Sequence, residues 1–251
     1  IVTGAGAGIG REIALTLARE GVKTVCLDMD EERLADLKGV FADGGFEGMY
    51  LACDVRDEAQ VADVVGKVRD QYGRIDILVN NAGVAKGGMV EDLPAERWDL
   101  NFDVNTKGTF LMSKAVVPIM KEQRSGRIIN AASFAAIVPS VGGAAYAASK
   151  YAVVGYTRVL ASELGPWDIT VNCYAPGMIP TGMNNFDKLP PEKAEQMLGM
   201  LTLRRWGVPQ DVANLVCFLA SDLASYITGT LVDVSGGKLA TQRPYVAYDN
   251  A

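Results

Sequence analysis

The stretch Thr3-Gly4-Ala5-Gly6-Ala7-Gly8-Ile9-Gly10 decides the reading of this chain. It follows directly on Ile1-Val2, whereas an ordinary strand needs about five residues, so the first strand reads as clipped. Behind it a helical pattern runs from near Gly10 to Glu20. Glycines between a strand and a helix permit left-handed backbone angles, close approach of a ligand to the main chain, and close helix–strand packing. The helix start then offers free N–H groups to a pyrophosphate. On this reading Gly4, Gly8, Ile9 and Gly10 form the diphosphate site of a dinucleotide. A glycine cluster alone reads equally well as a tight turn, and the rest of the chain decides between the two.

Working outward, short β-branched runs alternate with amphipathic helical stretches. The expected strands are Thr24–Asp28, Glu47–Ala52, Ile75–Asn80, Gly126–Ala131, Thr170–Tyr174 and Leu231–Val234. The helical segments are Glu31–Asp43, Glu58–Tyr72, Glu96–Gln123, Ala144–Leu164 and Gln210–Ala220, beside the first one. Asp57 is placed to cap one helix and Gly73 to end it, and Pro118 predicts a kink or boundary. Nearly continuous apolar strands in strand–helix alternation predict an α/β fold: a doubly wound, seven-stranded parallel sheet with helices on both faces, Rossmann-like. No linker or composition break divides residues 1–251, so one domain is expected. Pro176 to Pro209 breaks the rhythm with Pro180, Gly182, Pro190 and Pro191, and a short helix Glu192–Leu201 fits its centre. A substrate lid at about 178–206 is the expectation, since long excursions seldom lack a role. The tail 238–251 has no periodicity; its tyrosines suit docking on a neighbouring subunit, and fraying is the plainer alternative.

Composition removes several classes of function. With 30 acidic against 24 basic residues and no basic tract, nucleic acid is not an expected partner. No apolar run is long enough to span a bilayer, and the expected location is the cytoplasm. With no histidine in the chain, His-based triads and the usual zinc ligands are excluded together, and no metal site is expected. Cys26, Cys53, Cys173 and Cys217 have no metal spacing and read as buried free thiols.

The carboxyl ends of the strands hold the remaining polar signals. Asp28 ends the second strand, where an acid accepts hydrogen bonds from an adenosine ribose and repels a 2′-phosphate, with Asp30 as the alternative for the ribose. Ala7 offers that phosphate no cation, so NAD is preferred to NADP. Asp54 and Val55 are placed to meet the adenine edge and cover its ring; Asn81, Ala82 and Gly83 are placed to line the cofactor floor.

Taken together, TGAGAGIG at 3–10, Asp54-Val55, NNAG at 80–83, Asn105, Ser133, YAASK at 146–150, Pro176-Gly177 and ITGTLVDVSGG at 227–237 closely resemble the short-chain dehydrogenase/reductase family in its smaller single-domain form. The resemblance implies a catalytic set of Asn105, Ser133, Tyr146 and Lys150, with Tyr146 and Lys150 also touching the cofactor. It implies that Pro176, Gly177, Ile179 and Thr181 hold the nicotinamide, and that the chain assembles as a homotetramer, with Tyr151–Leu164 as a candidate face. One departure is Ala132, where many relatives carry a second serine.

The chemistry follows from residue types. A free phenol has a pKa near 10, and Lys150, one helical turn from Tyr146, carries a charge that favours the phenolate. Tyr146 is then the acid for carbonyl reduction and the base for alcohol oxidation, while Ser133 fixes the substrate oxygen. Ser133 is not a nucleophile, because nothing is present to activate it. Asn105, a poor interior helix residue, suits a water-linked proton path through Lys150, with a local kink as the alternative. Val84, Phe134, Val141, Met178 and Met183 are apolar pocket candidates; Tyr151 reads as helix packing and Trp206 as the lid's anchor. The expected reaction is NAD-dependent hydride exchange with a secondary alcohol or ketone, a sugar, polyol or small hydroxy compound first. The alternative is a 3-oxoacyl thioester (acyl-carrier-protein) reductase, and a catalytically silent NAD-binding protein is the reading from another class.

Overall fold

A computed structural model describes residues 1–184 and 186–250; Asn185 in the expected lid and Ala251 in the expected tail lie outside the described residues, as do the side chains of Asp187, Asp249 and Asn250. The strands are β1 (Val2–Thr3), β2 (Thr24–Asp28), β3 (Gly48–Ala52), β4 (Ile77–Asn80), β5 (Gly126–Ala131), β6 (Ile169–Pro176) and β7 (Leu231–Val234). They form one seven-stranded sheet in the order β3-β2-β1-β4-β5-β6-β7. Every pairing is parallel, with Val2 of β1 facing Cys26 of β2 on one side and Val79 of β4 on the other.

The helices are α1 (Gly8–Arg19), α2 (Glu31–Asp43), α3 (Glu58–Tyr72), α4 (Ala95–Phe102), α5 (Gly108–Gln123), α6 (Ala144–Leu164), α7 (Pro191–Leu198) and α8 (Pro209–Ala220). One core lies between the sheet and α3, α5 and α6, built on Val61, Val65, Leu111, Val116 and Leu160. The other lies against α1, α2 and α8, built on Ile13, Leu17, Leu37, Phe41, Val212 and Val216. Burial on both faces is why the strands carry no polar alternation. Local signals hold: Asp57 accepts from the N–H groups of Ala59 and Gln60 to start α3, and Gly73, at φ 72°, ends it. Among the described residues no helix is long and apolar enough to cross a membrane.

Three expectations need correction. The segment Glu96–Gln123 is not uniformly α-helical: a π-helical turn at Asp103–Lys107 divides a continuous helical run into α4 and α5. Pro118 does not bound a helix, because α5 continues through that position. Burial of Val116, Ile119 and Met120 on α5 outweighs the roughly 3 kcal/mol penalty of an interior proline. The lid helix ends at Leu198, where Gly199 follows, and not at Leu201.

The excursion after β6 and the tail are fastened within the same chain. Thr202 and Leu203 N–H groups donate to the carbonyls of Gly237 and Gly236, stitching the lid base to the turn after β7. Phe186 stacks on Trp206 at 5.6 Å, which ties the middle of this segment to its end. A short turn, Pro244–Asn250, carries the tail back: Tyr248 Oη donates to the Thr202 carbonyl at 2.7 Å, and the Arg204 guanidinium lies 5.4 Å from its ring. The tail therefore rests on residues 202–204 of its own chain.

Candidate active site

The chain order reverses across the β1/β4 boundary, and a doubly wound sheet opens its ligand crevice at such a point, beyond the strand carboxyl ends. Gly4 and Gly8 adopt φ of +65° and +54°, which other residues rarely do. A Cβ on Gly10 would stand 2.1 Å from the Gly4 carbonyl oxygen, so only glycine lets α1 approach β1 this closely. Ala7 before α1 provides no side-chain cap, so the first-turn N–H groups of Gly8, Ile9 and Gly10 have no intrahelical or capping acceptor. These are the properties a diphosphate requires, and the residues fit the group.

Asp28 is already fixed beside that turn: its carboxylate accepts from Gly6 N–H at 2.9 Å and from Asp30 N–H at 3.1 Å. Arg33 comes close through its Cβ, but its guanidinium is paired with Asp30. Asp54 is held by Arg56 in a two-pronged ion pair with a shortest contact of 2.6 Å, which keeps its carboxyl below the usual range. Any adenine contact by Asp54 is thus shared with Arg56. Val55 is buried and lies against Gly108, where a Cβ would approach within 2.6 Å.

A polar chain absent from the sequence reading joins the two halves of the sheet. Thr3 Oγ1 accepts from the N–H groups of Asn81 and Ala82, Asn81 Nδ2 donates to the Thr3 carbonyl, and Tyr174 Oη donates to Asn81 Oδ1 at 3.0 Å. Tyr174 is wholly buried, and its hydroxyl was the available signal.

The four catalytic candidates converge from different elements. Ser133 follows β5, Tyr146 and Lys150 share one face of α6, and Asn105 lies on the π-turn. A π-turn adds a residue to the helical circuit and turns a side chain inward. Asn105 Nδ2 donates to the Val84 carbonyl and to Ser149 Oγ, both at 2.9 Å, while its Oδ1 accepts from Val84 N–H at 2.8 Å. Its side chain therefore binds the segment after NNAG to α6, a role the sequence reading did not anticipate. Gly83 fits between Asn105 and Lys150: a Cβ there would meet Asn105 Oδ1 at 3.1 Å and Lys150 Nζ at 3.4 Å.

Lys150 is fully buried, donates to the Ala131 carbonyl at 2.7 Å, and places Nζ 5.9 Å from the centre of the Tyr146 ring. Burial lowers its pKa to about 8. Burial also pushes the Tyr146 phenol above its ordinary value, against the downward pull of a hydrogen bond with Ser133. Desolvation therefore outweighs the Ser133 hydrogen bond, and Tyr146 is protonated at neutral pH, the form an acid needs.

The segment after β6 completes the crevice. Gly177 packs where a Cβ would touch the Ser235 side chain at 2.6 Å, Ile179 is buried, and Thr181 Cγ2 lies nearest to the space beside Gly8. Of the pocket candidates, Phe134 and Met178 are buried, whereas Val141 and Met183 stand 91% and 54% exposed above them. Tyr151, expected to pack on its helix, is half exposed and donates to the Ile137 carbonyl. Cys26, Cys53 and Cys173 are buried and Cys217 partly so, all with thiols raised by burial, Cys26 to about 12.

A family model described as enoyl-(acyl carrier protein) reductase matches residues 4–238. The chain belongs to the short-chain dehydrogenase/reductase family. It is 41% identical over 239 residues to a 3-oxoacyl-(acyl-carrier-protein) reductase of Thermotoga maritima, covering 94% of this chain and 96% of that protein. It is 40% identical to a (2S)-((R)-hydroxy(phenyl)methyl)succinyl-CoA dehydrogenase subunit of Thauera aromatica, covering 95% of each. Among solved structures, levodione reductase superposes with a TM-score of 0.91 at 37% identity, covering 95% of this chain and 96% of that one. As a short-chain dehydrogenase/reductase the protein is an oxidoreductase of hydroxyl and carbonyl groups, and the family fold implies an NAD(P)-type dinucleotide.

Proposed function

We propose that the protein reduces the ketone of a 3-oxoacyl thioester, and oxidises the matching 3-hydroxy compound in reverse, with NAD(H) as its dinucleotide. The observation that carries the reaction is the meeting of Ser133, Tyr146 and Lys150 beside Gly83 and the glycine turn. The thioester is preferred to the sugar or polyol first expected because the curated relatives at about 40% identity include several 3-oxoacyl reductases. A bound nicotinamide would supply or accept the hydride. Tyr146 delivers its phenolic proton to the carbonyl oxygen, Ser133 fixes the angle of that oxygen, and buried Lys150 provides the charge that steadies the resulting phenolate. Asn105 holds α6 in register with the cofactor floor.

The test is NADH consumption with S-acetoacetyl-N-acetylcysteamine against a panel of ketoses, and NAD reduction with the corresponding polyols. The thioester should be turned over at least tenfold more efficiently; a ketose or polyol leading the panel would restore the sugar reading.

The preference for NAD rests on Asp28, whose fixed carboxylate lies beside the diphosphate turn and would meet a 2′-phosphate at close range. The ratio of kcat/KM for NAD over NADP should exceed 100 and fall at least tenfold in Asp28→Ala. An unchanged ratio would remove Asp28 from that role.

The homotetramer and the cytoplasmic location belong to the same proposal. Tyr151 and Val159 on α6 and Phe110 on α5 leave apolar side chains about half exposed, as a subunit face requires. Sedimentation velocity at micromolar protein should give a tetramer of the 26.8 kDa chain, and a monomer would end that part of the reading.

A further inference from the structure

The carboxyl ends of β5, β6 and β7 lie side by side at one end of the sheet, and each opens into a loop there. Ser133 and Phe134 follow β5, Gly177 and Met178 follow β6, and Ser235-Gly236-Gly237-Lys238 follows β7. Gly236 and Gly237 hold φ of +66° and +72°, which turns the chain back across the sheet edge. The Lys238 N–H donates to Ser235 Oγ, and its side chain reaches over to Phe134, with Nζ 4.7 Å from the ring centre. Phe134 is the residue next to Ser133. The topology thus carries an ammonium from the far strand of the sheet to the neighbour of the serine that fixes the substrate oxygen.

That ammonium has no anionic partner among the described residues. The ion pairs of the molecule engage Arg204 with Glu195 and Arg205 with Asp211 on the lid side, and leave Lys238 out. Lys238 is half buried, and desolvation lowers its pKa, so a charge is held there without compensation. An aromatic face compensates a cation only in part, and a lysine whose sole role was solubility would extend into water.

We propose that Lys238 is a specificity residue that binds an anionic oxygen group of the substrate, a carboxylate or a phosphate, while Ser133 and Tyr146 hold its carbonyl. The proposal rests on the reductase reading above and adds the charge of the substrate to it. Phe134 steers the ammonium toward the crevice, and the anion displaces its remaining water. Two donors on one substrate, Ser133 at the reacting oxygen and Lys238 at the charged group, select a molecule by the spacing between them.

Two substrate pairs separate the sources of the charge. Acetoacetyl-coenzyme A and S-acetoacetyl-N-acetylcysteamine share the acyl group, and only the first carries phosphates. Monomethyl 3-oxoadipate and its dimethyl ester share the 3-oxoester, and only the first carries a carboxylate. Each is assayed with NADH for wild type, Lys238→Met and Lys238→Arg, with Tm and NADH affinity as controls for the fold. The expected result in Lys238→Met is a KM at least tenfold higher for the charged member of one pair, identifying phosphate or carboxylate, with kcat nearly constant and the neutral member unchanged. Lys238→Arg should retain most of the affinity. Equal losses on charged and neutral members, no loss on any, or a lowered Tm accounting for all of them would overturn the assignment. Turnover of the neutral members keeps the reductase reading intact in those cases, whereas wild type that turns over neither pair sinks both.

Discussion

Tyr146→Phe should lower kcat by about a thousandfold, roughly 4 kcal/mol of barrier, while the affinity for NADH stays within about twofold. Phenylalanine keeps the ring in its place on α6, 5.9 Å from Lys150 Nζ, and deletes only the hydroxyl that meets Ser133. With that hydroxyl gone, the carbonyl oxygen has no group to protonate it. The pH profile carries a second signature. Burial raises the phenol, so reduction finds its acid loaded at neutral pH, and alcohol oxidation should climb as pH rises and tyrosinate forms. In the variant the residual oxidation should lose that rising limb. Single-turnover kinetics and cofactor titration check both parts; a phenylalanine variant with wild-type turnover would mean that the proton comes from elsewhere.

Gly10→Ala should cost about 2–4 kcal/mol of stability and weaken NADH binding more than tenfold. The added methyl would lie 2.1 Å from the Gly4 carbonyl oxygen and 2.4 Å from Asn81 Nδ2. Neither can yield cheaply: the first is backbone of the diphosphate turn, and the second already donates to the Thr3 carbonyl. The turn must open or α1 must lift from β1, and either change moves the N–H groups that face the diphosphate. Gly66→Ala is the internal control, since nothing lies within 4 Å of a Cβ there and it sits inside α3; alanine should stabilise slightly. Thermal unfolding and NADH fluorescence titration distinguish the two. A Gly10→Ala protein as stable as wild type would show that α1 tolerates a wider seat than its packing indicates.

Much of this was legible in the chain because it depends on local rules. Strand–helix alternation gave the sheet, Asp57 and Gly73 marked the ends of α3, and YAASK placed Tyr146 and Lys150 on one helical face. What escaped were features decided by tertiary contact. A proline predicts a break unless burial outweighs it, as it does around Pro118. Nothing in local propensity distinguishes a π-turn from a kink at Asn105, because the turn is held by Val84 and Ser149, each more than twenty residues away. Thr3, Tyr174 and Lys238 read as a strand residue, a core aromatic and a surface cation; their roles depend on which strand ends the topology makes neighbours.

The two ends of the crevice differ in how freely they can drift. Around the diphosphate turn, Thr3, Gly10, Asn81 and Tyr174 are mutually constrained by short contacts, and a change at one is felt by the others. On the substrate side, Val141, Met183 and Leu203 are at least half exposed, where replacement typically costs no more than about 0.5 kcal/mol. Replacements at this rim can therefore accumulate nearly freely, while the glycine turn is held in place by its interior contacts.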